Sequence, residues 1–79
     1  MPTLLLENGY RFFFYSNENN EPIHVHITKA ESECKVWLEP IISVAYSQGL
    51  STKEIKNVIE IVKKNGDNFK LKWYEYFNK

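Results

Sequence analysis

Residues 23–28 read Ile-His-Val-His-Ile-Thr, an alternation with the period of an extended chain. As a strand, Ile23, Val25 and Ile27 point to one side and His24, His26 and Thr28 to the other. A helix would scatter both sets, so this segment commits the chain to a sheet with one apolar face. Histidine is not a favoured strand residue. The chain's two histidines nevertheless stand side by side on one face, which marks that face as a candidate site without naming a reaction.

The flanking residues supply partners for this strand. Leu4–Glu7 and Tyr10–Tyr15 flank Asn8-Gly9, a strong hairpin signal because a type I′ turn needs positive φ at both central positions. That turn sets Glu7 opposite Tyr10, Leu5 opposite Phe12 and Leu4 opposite Phe13. Ser16–Pro22 reads as a polar loop closed by a proline suited to a strand's first residue. A turn over Lys29–Ser32 then pairs Thr28 with Glu33, His26 with Lys35 and His24 with Trp37. Ile23, Val25, Ile27, Cys34, Val36 and Leu38 fall together on the other face, a surface for a helix to cover. Cys34 is there a small buried hydrophobe. Ile41–Tyr46 is β-prone, and its pattern fits either a prolonged fourth strand or an irregular edge.

The following segment carries helix signals. Ser51-Thr52-Lys53-Glu54 is a capping box, with Leu50 and Ile55 placed as a hydrophobic staple. Ile55, Val58, Ile59 and Val62 make an apolar stripe, while Lys53, Lys56, Glu60, Lys63 and Lys64 face water. Asn65-Gly66 reads as a helix stop. Beyond it, Phe69, Leu71 and Trp73 alternate with lysines as in a strand, yet Phe69, Trp73, Tyr76 and Phe77 also form a helical stripe that Asp67 or Asn68 would cap. Pattern alone leaves both open.

Composition bounds the rest. Seventy-nine residues make one domain, 1–79, with a small core to which the 15% of aromatic residues contribute heavily. Ten basic and ten acidic residues cancel, so no global field steers the chain to a polyanion, and low net charge favours association. One cysteine allows no internal disulfide and no cysteine-cluster metal site. The first residues show no basic segment before an apolar run too short for a signal or span. A cytoplasmic protein without membrane attachment is the expectation.

Several blocks in order resemble the bacterial domain of unknown function 4160 family. They are Gly9-Tyr10-Arg11-Phe12-Phe13-Phe14-Tyr15-Ser16, Glu21-Pro22-x-His24-Val25-His26, Lys35-Val36-Trp37-Leu38-Glu39-Pro40, Gly49-Leu50-Ser51 with its helix, and Trp73-x-x-x-Phe77. The family usually has a second proline where this chain has Ile23. The resemblance implies a terminal helix around Trp73. It also implies gene neighbourhood with the domain of unknown function 2442 family, an arrangement of toxin–antitoxin type. It brings no established activity.

The fold expected is α+β, a small four-stranded, mainly antiparallel sheet with two C-terminal helices on the Ile23/Val25/Ile27 face. The main functional expectation is a protein-binding component of a toxin–antitoxin-like or regulatory pair, contacting a protein partner or a second copy through Arg11, Phe13, Tyr15 and Trp37. The alternative is a toxin that binds or cleaves RNA. There His24 and His26 would carry protons and Lys35 would steady a phosphate, or exposed rings would stack bases. Against it stand zero net charge and a structural use of the histidines, with His24 on Trp37 and His26 bonded to a loop. No metal or other cofactor is expected, because two histidines and Glu33 beside Lys35 fall short of a ligand set.

Overall fold

The computed structural model describes residues 3–15 and 20–77. Five strands are followed by one helix: β1 (Thr3–Glu7), β2 (Tyr10–Phe13), β3 (His24–Lys29), β4 (Ser32–Trp37), β5 (Ser43–Gln48) and α1 (Thr52–Phe77). The strands lie in sequence order, β1-β2-β3-β4-β5, and each pairs antiparallel with the next. The α+β class holds, with five strands and one helix in place of four strands and two helices.

Local chemistry sets most of the register. Asn8 and Gly9 both take positive φ, 55° and 85°, as a type I′ turn requires, and Glu7 pairs with Tyr10 and Leu5 with Phe12. Leu4 does not oppose Phe13; a bulge between Thr3 and Leu5 gives that place to Thr3, because an extra residue on one strand shifts all pairing beyond it. The third and fourth strands pair as their alternation requires, Thr28 with Glu33, His26 with Lys35 and His24 with Trp37. Ile41–Tyr46 contributes to an edge strand: β5 pairs with β4 from Ser43 to Gln48, with an irregularity at Lys35/Val36. Of the polar loop, residues 16–19 lie outside the described residues.

The helix begins at the capping box. The Ser51 amide donates to Glu54 Oε1 at 2.9 Å and the Glu54 amide donates to Ser51 Oγ at 3.1 Å. The Ser51 bonds, backbone first, hold the Glu54 carboxyl below the usual carboxylate range. The helix then runs through Asn65-Gly66 without stopping. Two features explain this. The apolar stripe continues in phase through Val58, Val62, Gly66, Phe69 and Trp73, all of them buried, so a stop would forfeit the burial of two large rings. The Asn65 side chain, instead of capping an end, donates to the Ile61 carbonyl at 2.9 Å inside the helix.

Gly66 faces the sheet side, and a Cβ there would stand 3.7 Å from Ile42 Cδ1, an ordinary contact. Gly66→Ala should therefore raise stability by about 0.5–1 kcal/mol through helix propensity, read as a higher melting temperature. A lower one would mean that the helix breaks there. Gly49 differs: its φ is 90°, and a Cβ would meet Ser32 Oγ at 2.6 Å. Gly49→Ala should cost about 1–3 kcal/mol.

Helix and sheet enclose one core. Tyr10, Phe12, Phe14, Ile23, Val25, Ile27, Cys34, Val36 and Leu38 meet Val58, Ile61, Val62, Phe69 and Trp73, and Phe12 stacks on Phe69 with ring centroids 5.7 Å apart. Ile61 joins this set, while Ile59 is only partly buried against it. Burial pushes the Cys34 thiol up, partly offset by the Ser47 hydroxyl. Cys34 should resist alkylation until the protein unfolds; rapid native labelling would place it outside the core. Its linkage to folding is complete below the ordinary thiol pKa. It is lost as pH rises toward the raised value, because the unfolded thiol ionises first.

Candidate functional site

The face of the sheet away from the helix carries the chemistry read from the sequence. Arg11 pairs with Thr28 and Phe13 with His26 across β2 and β3, and His26 with Lys35 and His24 with Trp37 across β3 and β4. Cross-strand neighbours share a face, so one continuous patch holds Arg11, Phe13, His24, His26, Lys35 and Trp37. Tyr15, just past β2, joins through its ring, 4.7 Å from the His26 ring.

Every residue expected at a site from the sequence is thus brought together, yet the two histidines are not presented to solvent. His24 is 1% exposed and His26 7%. Phe13 lies nearly parallel to His26 at 5.7 Å, and the His24 and His26 rings meet edge-on at 5.1 Å. His24 also meets Trp37 edge-on at 5.5 Å. The ladder between β2 and β3 ends at the Phe13–His26 pair. Beyond it, the Trp73 ring of α1 comes within 5.1 Å of His24. The first histidine therefore joins the helix-side core to the ring row on the far face.

A second set of contacts fixes orientation. His24 Nδ1 donates to the Pro22 carbonyl at 2.9 Å; because a carbonyl only accepts, the proton sits on Nδ1. The Glu21 carboxylate lies 3.8 Å from the same nitrogen and accepts from Lys35 Nζ at 2.8 Å. Lys35 Nζ also stands 4.4 Å above the Trp37 ring, and the Arg11 guanidinium 4.4 Å above Phe13, with its Nε donating to Thr3 Oγ1 at 2.9 Å. Each cation is spread over a ring, which fixes the ring and places a planar or point charge at the patch surface.

Sequence reasoning missed three members of this surface. Glu21, read as part of a polar loop, is the acid that engages Lys35. Tyr46 shares the face because it pairs with Lys35, and the pattern that left β5 undecided gave it no face. Leu6 pairs with Arg11 and is 73% exposed; the β1–β2 register was the available signal.

Among the described residues no group of three or more His, Cys, Asp or Glu side chains could hold a metal ion, and no helix is long and apolar enough to cross a membrane. A cleft of about 410 Å³ lined by Thr3, Leu4, Phe14, Lys72, Glu75 and Tyr76 includes none of the site residues expected from the sequence.

A small antiparallel meander crossed by one long helix, with a ring-lined outer face, is the class of domain this geometry defines. Residues 9–74 match the family model described as Domain of unknown function (DUF4160), and the chain belongs to that family. No curated protein and no solved structure matches significantly.

Proposed function

We propose that this chain is a small cytoplasmic protein-binding component of a toxin–antitoxin-like or regulatory gene pair, and that it contacts its partner with the ringed face of the sheet. The observation that carries the reading is the contrast on that face: both histidines are sealed among rings, while Tyr15 and Tyr46 remain substantially exposed beside the Arg11 and Lys35 cations. Aromatic and arginine side chains held in place by their neighbours suit a binding hot spot, because little conformational entropy is left to lose.

Proton transfer asks for a different arrangement, with imidazole nitrogens open to a substrate. Here His24 Nδ1 is spent on Pro22 and the Lys35 ammonium on Glu21, which favours binding over RNA cleavage. Net charge zero favours a protein partner over a polyanion.

The test is expression with and without the neighbouring gene, scoring growth and co-purification. The neighbouring product should co-purify with the wild type, and Trp37→Ala should weaken that capture. RNA cleavage by the purified chain that stops on replacing His26 would overturn the reading.

A further inference from the structure

The far edge of the sheet carries a separate surface. β5 closes the strand order, and β4 is the strand that pairs with it among the described residues. The outer edge of such a strand offers backbone donors and acceptors that a further strand satisfies. We infer that β5 pairs antiparallel with β5 of a second copy of this chain, joining two five-stranded sheets across a two-fold axis.

The identity of the occupant follows from charge. The chain is 25% charged, yet from Pro40 through Thr52 it carries no charged residue, and β5 reads Ser-Val-Ala-Tyr-Ser-Gln. A two-fold axis through an antiparallel strand pair brings the strand's central positions near their own copies, so any charge at the centre would face its like. A different partner would impose no such restriction and would be selected by a charge. Zero net charge removes long-range repulsion between copies.

Apolar exposure points to the same edge. Of the eight large hydrophobic residues exposed among the described residues, Ile41 at 70%, Val44 at 39% and Tyr46 at 45% cluster on β5 or just before it. The irregularity opposite Lys35/Val36 keeps the shared ladder short, so these side chains supply the area that backbone bonds alone would not. The opposite edge is protected. Both edge strands carry a bulge, and β1 differs from β5 by the charge at Glu7, which discourages strand addition. Growth therefore stops at two copies. The pairing leaves Arg11, Phe13, Tyr15 and Trp37 uncovered and takes only Tyr46 from the ringed face.

The experiment is sedimentation velocity on the wild type and on Tyr46→Lys and Tyr46→Glu variants, with folding checked by circular dichroism. The wild type should sediment as a dimer, and either variant alone should raise the dissociation constant by about tenfold or more. An equimolar mixture of the two variants should restore the dimer, since opposite charges then meet. Should these variants fail to fold, amide exchange on the wild type decides. Residues 43–48 should gain protection as concentration rises while β1 does not. A monomeric wild type at all concentrations, a dimer indifferent to charge at Tyr46, no rescue on mixing, or concentration-independent exchange in β5 each overturns the inference.

Discussion

Val58→Asp should abolish folding. Val58 is fully buried on the helix face that meets the sheet, among Val25, Ile27, Val36 and the other members of the core. An aspartate there must either bury its charge or protonate, and no hydrogen-bond partner for it stands among these apolar side chains. The expected cost of about 4 kcal/mol or more approaches the whole stability of a domain this small, commonly about 5 kcal/mol at the lower end. Lys56→Asp, two residues away on the exposed side, should move stability by no more than about 0.5 kcal/mol. Circular dichroism and a thermal scan of the two variants check this pair. Equal effects would mean that α1 presents a different side to the sheet.

Replacing both histidines by alanine should be the next most damaging change. His24 loses its bond to the Pro22 carbonyl and its edge contacts with Trp37 and Trp73. His26 loses its stack on Phe13 and its contact with Tyr15. A lost buried hydrogen bond costs about 1–3 kcal/mol, and each aromatic pair contributes about 0.5–1.5 kcal/mol beyond its area. The double change should therefore cost about 3 kcal/mol, less than the sum of the single changes, because the two rings touch. A melting temperature lower by roughly 12 °C or more is the expected reading. A transition within about 2 °C of the wild type would return the histidines to an exposed working role.

The sheet could be read from the sequence where a local rule had one answer. The Asn8-Gly9 turn and the alternation in residues 23–28 fixed the pairing of β1 with β2 near the turn and of β3 with β4. Their success follows from geometry, since a slip of one residue would turn Ile23, Val25 and Ile27 out of the core. Legibility failed where tertiary packing overrode a local signal. Asn65-Gly66 has the residues of a stop, but buried Phe69 and Trp73 outweigh a glycine cost of about 1 kcal/mol. Leu4 was misplaced and β5 left undecided for a related reason, because a bulge is a property of a strand pair and leaves little trace in either strand alone.

The site was legible in membership and not in exposure. Alternation placed His24, His26, Lys35 and Trp37 on one face, and the structure puts them there. What alternation could not convey is how the rings cover one another. The burial of His24 depends on Trp73, nearly fifty residues later in the chain, reaching it past the end of the β2–β3 ladder. Glu21 enters by a similar route, folding back from the loop onto Lys35.

The ringed face as a binding surface is tested most directly by the affinity of the purified chain for the product of its neighbouring gene. The double variant Arg11→Glu, Tyr15→Ala alters two side chains at that surface, and Lys63→Glu alters the exposed back of the helix. Titration calorimetry should show the first losing about 1,000-fold in affinity, as two central contacts of about 2 kcal/mol each would give, and the second matching the wild type. Full affinity in the double variant, or its loss in Lys63→Glu, would contradict the account.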